Sequence, residues 1–378
     1  MRKSIITLIV LVLLASISII IYYVWLSPIP SEETSKLRET TGASGVQETV
    51  EVIDALNRIV EIKMPINRVI IAGKGSWPIM TVAYMFPNAK KVLYGLSANL
   101  NTTLFKMADP NLADKIVSIE LNVEEISKAK PDVVILKTTM RSLGDQLEGL
   151  GINVVYVDLE NLESYVRDLR VLGKIFMDEK RGEELVRYYS GWVNSIASTV
   201  PPEAGRPKVL FLYYSVKGGE VAFNVPGSGW LQTFMVEAAG GYPLSREVPG
   251  TGWNTVTFEQ IARWGPDIIF IVTYSTKPSP GDVKGRLLGE AMWGDIPAIQ
   301  GGRVYAVPDD CKVGALGSWD TPGSRWILGL MWMAKKIHPE IFNDLNIVEE
   351  TKRFYMEMYG LSQLDAEEVI NQITGDFP

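Results

Sequence analysis

Glu125-Ile126-Ser127-Lys128-Ala129-Lys130-Pro131-Asp132-Val133-Val134-Ile135 and Glu259-Gln260-Ile261-Ala262-Arg263-Trp264-Gly265-Pro266-Asp267-Ile268-Ile269 carry nearly the same pattern. Each reads as a short helix, a Pro-Asp turn and then a buried strand. The echo extends outward on both sides. Arg68-Val69-Ile70-Ile71-Ala72-Gly73 parallels Lys208-Val209-Leu210-Phe211-Leu212-Tyr213, and the stretch from Gly151 to Val157 parallels that from Gly301 to Val307. Three matched strands in the same order predict two similar α/β lobes. A cleft between such lobes is where a small ligand binds.

The composition agrees with two cored lobes: 378 residues, 47% hydrophobic and 21% charged. The net charge of -7, with no Lys/Arg run, speaks against nucleic acid as a partner. There is one cysteine, Cys311, and one histidine, His338. An intrachain disulfide and a Cys/His zinc site are therefore excluded. Ser-His-Asp or Cys-His catalysis would need His338, which sits in the turn-like Lys336-Ile337-His338-Pro339-Glu340 and reads as a helix-end residue. No catalytic residue, resident metal or cofactor is expected.

Ser4 to Leu26 is a run of 23 uncharged residues, long enough to cross a bilayer as a helix. Arg2 and Lys3 precede it, which places the N-terminus in the cytoplasm and the bulk of the chain on the extracytoplasmic face of the cell membrane. A cleaved signal segment is the competing reading. Residues up to Thr49 are rich in Ser, Thr, Glu, Pro and Gly and read as a flexible tether. Two alternating strands follow, Thr49 to Ile53 and Ile59 to Ile62, with a hairpin turn at Asp54-Ala55-Leu56-Asn57-Arg58 in which Asn57 suits a positive φ. Glu179 to Thr199 is a helical stretch of roughly 30 Å between the echoing halves, and reads as a rigid connector. Trp326 to Ile337 is an apolar helix. The expected division is anchor 1–26, tether 27–49, first lobe 50–178, connecting helix 179–200, second lobe 201–340 and C-terminal helices 341–378.

Several of these stretches carry a resemblance. They are D-x-x-N-R-x-V at Asp54–Val60, E-E-I-x-x-x-K-P-D-V-V-I at Glu124–Ile135, P-A-I-Q-G-G-R-V-Y-A-V-P at Pro297–Pro308 and A-K-x-I-H-P-E-I-F at Ala334–Phe342. In that order they resemble the helical-backbone class (class III) of ABC-transporter substrate-binding proteins, over about Val50 to Phe342. The resemblance implies two Rossmann-like lobes joined by one long connecting helix, with a ligand cleft between them. It also implies delivery of an iron–siderophore, haem, corrinoid or molybdate-type oxyanion to a membrane permease with its ATPase. Three departures stand out. Asn57 replaces the usual Gly of the hairpin turn. The neighbourhood that often carries a permease-contacting Glu reads Ser76-Trp77-Pro78-Ile79. The lipid-anchor cysteine is absent, and an archaeal-style transmembrane anchor would replace it.

In open α/β lobes ligands sit beyond the carboxyl ends of the strands. That rule selects, in the first lobe, Lys74, Ser76, Trp77, Thr138, Thr139 and Arg141. In the second it selects Tyr213, Tyr214, Lys217, Trp230, Trp253, Tyr274, Trp319 and Arg325. Aromatic faces suit large planar or chelate ligands, and the cations suit a negative one. A metal already wrapped by an organic chelator needs no His or Cys. The expected ligand is thus an anionic metal chelate, with an oxyanion such as molybdate or tungstate as the alternative. A chelatase- or nitrogenase-like enzyme would need His or Cys in the cleft. Trp264, Trp293 and Trp332 read as core, Asp309-Asp310-Cys311 as a solvated turn, and Asn101-Thr102-Thr103 as a surface sequon.

Overall fold

The computed structural model describes residues 48–96, 98–115 and 122–378. Strands β1 (Thr49–Ile53) and β2 (Ile59–Lys63) pair antiparallel, with Val52 opposite Val60. Asp54 builds the turn between them. Its buried carboxylate accepts from the Leu56 N–H at 2.9 Å and the Arg58 N–H at 3.1 Å, and pairs with the Arg58 guanidinium at 2.7 Å. Asn57 has φ 58°, the conformation its short polar side chain tolerates. Arg58 also lies over the Tyr156 ring, 4.5 Å from its centroid, which ties the hairpin to the first sheet.

That sheet is wholly parallel, in the order β4-β3-β5-β6, from β3 (Val69–Ile71), β4 (Leu93–Gly95), β5 (Val133–Lys137) and β6 (Val154–Val157). The second sheet is separate and runs β10-β8-β7-β11-β12, with β9 beside β7. Its strands are β7 (Lys208–Lys217), β8 (Glu220–Pro226), β9 (Tyr242–Pro243), β10 (Trp253–Val256), β11 (Ile268–Val272) and β12 (Val304–Ala306). The adjacent trio β3-β5-β6 matches β7-β11-β12, which is the three-strand echo of the sequence. β5, β6 and β11 are buried along their whole length, as parallel strands covered on both faces must be.

The Pro-Asp turns now have a physical role. Asp132 donates its N–H to the Arg68 carbonyl at 2.9 Å, and its carboxylate accepts the Arg68 N–H at 2.9 Å. Asp267 makes the same pair with Lys208, both at 2.8 Å. Each aspartate sets the register at which the second strand of its trio enters the sheet.

Helices α1 (Leu162–Ile175) and α2 (Glu179–Thr199) follow β6. Asp178 caps α2 by accepting from the Arg181 N–H. Gly182 lets the two helices approach closely, since a Cβ there would lie 3.1 Å from the Leu169 carbonyl oxygen. α2 carries the chain from the first sheet to the second.

It is not the sole crossing, which departs from the expectation of one connecting helix. After α3 (Trp326–Ile337), the C-terminal helices α4 (Ile347–Tyr359) and α5 (Gln363–Ile370) lie back on the first lobe. Lys90 donates to the Tyr359 carbonyl at 2.9 Å, Arg181 to that of Glu357 at 2.8 Å, and Phe105 meets Tyr359 edge-on at 5.9 Å. The last residues then return to the second lobe. Thr374 and Asp309 exchange backbone hydrogen bonds, the Asp376 carboxylate accepts the Ala306 N–H at 2.7 Å and pairs with Lys284 at 2.8 Å, and Phe377 meets Trp319 edge-on at 5.6 Å. Residues 341–378, expected to add one or two helices, form α4 and α5, and their docking on both lobes was not expected from the sequence. One apolar cluster accordingly runs from Val52 and Ile71 through Tyr189 of α2 to Phe270 and Trp332.

Among the described residues no helix is long and apolar enough to cross a membrane. The anchor expected at Ser4 to Leu26 and most of the tether lie outside the described residues.

Candidate functional site

The carboxyl ends of the parallel strands in both sheets open onto a cleft between the lobes, with a volume of about 200 Å³. Trp77 contributes from the first lobe, and Trp230, Trp253 and Tyr274 from the second. Each ring is set by its element. Gly73 (φ 87°) and Gly75 (φ 69°) turn the chain sharply after β3, and Pro78 starts the helix that begins at Trp77. Trp230 precedes a helix, Leu231–Ala238, at its N-cap. The loops bearing Trp230 and Trp253 are sewn together by hydrogen bonds from Gly227 N–H to Gly252 O and from Gly229 N–H to Gly250 O. A Cβ on Gly227 would lie 2.3 Å from the Gly250 carbonyl oxygen, so only glycine permits this approach.

The rings form a corner. Trp230 and Trp253 meet at 87° with centroids 5.3 Å apart. Tyr213 packs behind, 5.1 Å from Trp253 and 4.9 Å from Tyr274. Tyr274 adopts φ 50°, uncommon for a bulky residue, and its hydroxyl donates to Asp320 Oδ2 at 2.6 Å.

The polar groups of the cleft were not singled out from the sequence. Lys137, the last residue of β5, is nearly buried and donates to the Asp158 carbonyl and the Glu160 carboxylate. Gln232 donates to the Asp320 carboxylate at 3.2 Å, and so does the Ser318 hydroxyl at 2.5 Å. Burial pushes the Asp320 carboxyl above the usual carboxylate range, against the pull of these hydrogen bonds. Burial, together with Asp320, pushes the Tyr274 phenol up as well. The signal for Glu160 was present: it lies three residues past the end of β6, where the carboxyl-end rule should have been applied to the third strand too.

The other candidate residues fall elsewhere. Trp319 is fully buried against Phe377, and Arg325 is buried with Asp310, bonded at 2.5 and 2.9 Å and lying over the Phe105 ring. A guanidinium buried against a bidentate carboxylate is out of a ligand's reach. Tyr214 points to the opposite face of β7 from Tyr213, as strand alternation demands, and its hydroxyl accepts from Arg286 at 2.6 Å. Lys217 is exposed where β7 turns into β8. Lys74, Thr139 and Arg141 are exposed, Ser76 is buried, and Thr138 donates to Asp158 at 3.2 Å. None of these lines the cleft, so the cationic lining expected from Lys74, Arg141, Lys217 and Arg325 is not assembled there.

Asp309-Asp310-Cys311 is not the solvated turn expected of it. Asp310 is buried and receives Arg325 and the Tyr355 hydroxyl, while the Cys311 thiol touches Arg325 at 3.1 Å, and burial pushes that thiol well up. His338 ends α3 and lies 3.0 Å from the Gly240 carbonyl oxygen, away from the cleft. Among the described residues no group of three or more His, Cys, Asp or Glu could hold a metal ion. A larger groove of about 700 Å³ lies between β1, α1 and α2, lined by Val52, Ile53, Leu162 and Val166. It has no aromatic wall and is not at the strand carboxyl ends, so the interlobe cleft is the better candidate.

A family profile described as "Periplasmic binding protein" matches residues 116–311. A periplasmic solute binding protein of Veillonella parvula has a similar solved structure, with TM-score 0.67, 27% identity, and coverage of 86% of this chain and 96% of that one. The molybdate-binding protein MolA of Haemophilus influenzae is 22% identical over 339 residues, 82% of this chain and 91% of MolA. The triscatecholate siderophore binding protein FeuA of Bacillus subtilis, solved with Ferri-Bacillibactin, shares the fold at TM-score 0.58 and 16% identity, over 78% of this chain and 100% of FeuA.

Proposed function

The chain belongs to the periplasmic binding protein family, and from that premise we propose that it captures a metal chelate in the interlobe cleft and hands it to an ABC permease. It is the substrate-binding component of an ABC transporter, not an enzyme. The observation that carries the ligand assignment is the aromatic corner of Trp77, Trp230, Trp253 and Tyr274. Ring faces such as those of Trp230 and Trp253, set at 87°, hold a bulky, weakly hydrated chelate by dispersion and stacking, without ligating the metal. A site of about 200 Å³ encloses only part of such a ligand and leaves the remainder toward solvent.

In this reading residues 50–178 and 201–340 are the lobes, and residues 1–26 anchor the protein on the extracytoplasmic face through the tether at 27–49. Membrane fractionation of the full-length chain, with and without residues 1–26, tests the anchor. A chain that stays membrane-bound without them refutes it.

The ligand is tested by thermal shift with ferric siderophores, haem, a corrinoid and molybdate. A chelate is expected to raise the Tm by mass action, by about 2.7 kcal/mol of stabilisation at a hundredfold excess over Kd. A shift with molybdate and with no chelate overturns the reading. Molybdate is the second candidate, supported by the small cleft volume and the likeness to MolA.

A further inference from the structure

The reading just given leaves the charge of the ligand open, and the cleft walls bear on it. Among the described residues Lys137 is the only cation lining the cleft, and the Glu160 carboxylate beside it cancels its charge. Asp320 is fully buried directly behind Tyr274. Its hydrogen-bond partners Tyr274, Ser318 and Gln232 are all neutral. Counting Asp320 behind the wall, carboxylates outnumber cations by one around the cleft among the described residues. The ring faces add to this, because the face of an indole or phenol is the negative end of its quadrupole. Three of the side-chain donors of the lining are engaged within the protein: Tyr274 and Gln232 donate to Asp320, and Thr321 donates to the Ser318 carbonyl at 2.7 Å. Lys74 and Arg141 are exposed and stand outside the lining.

We propose that this cleft selects a metal chelate of neutral or positive charge, because Glu160 neutralises Lys137 and the carboxylate of Asp320 behind the wall disfavours polyanionic chelates and bare oxyanions. The inference rests on the chelate reading and refines it. Selectivity here comes from repulsion as much as attraction: an anion entering the cleft approaches the Asp320 carboxylate, whose hydrogen-bond partners are neutral, in a medium of low dielectric.

The test uses the full-length chain and three ferric complexes of similar size: a tris-catecholate, which is a trianion, a neutral tris-hydroxamate, and a tris-hydroxamate bearing a pendant ammonium. Quenching of tryptophan fluorescence reports Kd. The ammonium-bearing and neutral complexes are expected to bind at least about tenfold tighter than the trianion, well under the size of one direct charge contact at intermediate dielectric because Asp320 acts from behind the wall. Glu160→Gln leaves Lys137 uncompensated and should move the ratio about tenfold toward the trianion. Asp320→Asn should move it the same way, and Glu160→Gln decides alone if that variant does not fold. A trianion that binds as tightly as the neutral complex, or a ratio unmoved in Glu160→Gln, overturns the charge inference and leaves the chelate reading standing. Molybdate binding with no chelate bound overturns both.

Discussion

Arg325 lies in a loop that strand geometry nominates for ligand contact, yet its guanidinium faces inward onto Asp310 and the Phe105 ring. Removing one member of a buried pair leaves the other charged and unsolvated. Arg325→Ala should cost about 3–5 kcal/mol in urea unfolding, and replacing Arg325 and Asp310 together by apolar residues should cost less. Asp320 makes a pH prediction. Its folded pKa stands above the ordinary aspartate value because of burial. The folded state thus holds this proton more tightly than the unfolded one. The associated stability is present below the unfolded pKa and is lost as pH rises through the raised value. Asp320→Asn should therefore flatten the fall in stability above about pH 4, read from unfolding midpoints across a pH series.

At the scale of elements, the matched strands were legible because the Pro-Asp turns that open two of them are local chemistry, while their register was not read from the sequence. Asp132 and Asp267 each fasten the start of a strand, and the three-strand echo records that both lobes use the same device. The aromatic rings of the proposed cleft were among the residues that the sequence nominates: Trp230 and Tyr274 lie just past strand ends, and Trp253 opens β10. The electrostatic half of the site was not legible. Whether Lys137 is free or Arg325 reachable depends on Glu160, Asp310 and Tyr355, none of which is a neighbour in sequence. The loop pairing around Gly227 is the element most exposed to a single change. Gly227→Ala places a methyl group against Gly250. It should displace the Trp230 loop and weaken ligand binding by about 2 kcal/mol or more, while far-UV circular dichroism stays near wild type.

For the molecule as a whole, the path of the C-terminus matters more than its helical pattern suggests. α2, the passage from α3 to α4, and residues 371–376 each cross between the lobes. Deleting residues 374–378 removes the contacts of Thr374, Asp376 and Phe377 with the second lobe. The expected outcome is a Tm lower by several degrees, about 1–2 kcal/mol for the lost buried hydrogen bonds, with faster amide exchange at 309–325. An unchanged exchange pattern there would show that the tail is no brace.

Those three passages also bear on timing. Lobes joined at three places should open and close less than lobes joined by a single helix, and amide exchange with and without ligand would measure it. Residence would then depend more on how firmly the rings grip than on a gate.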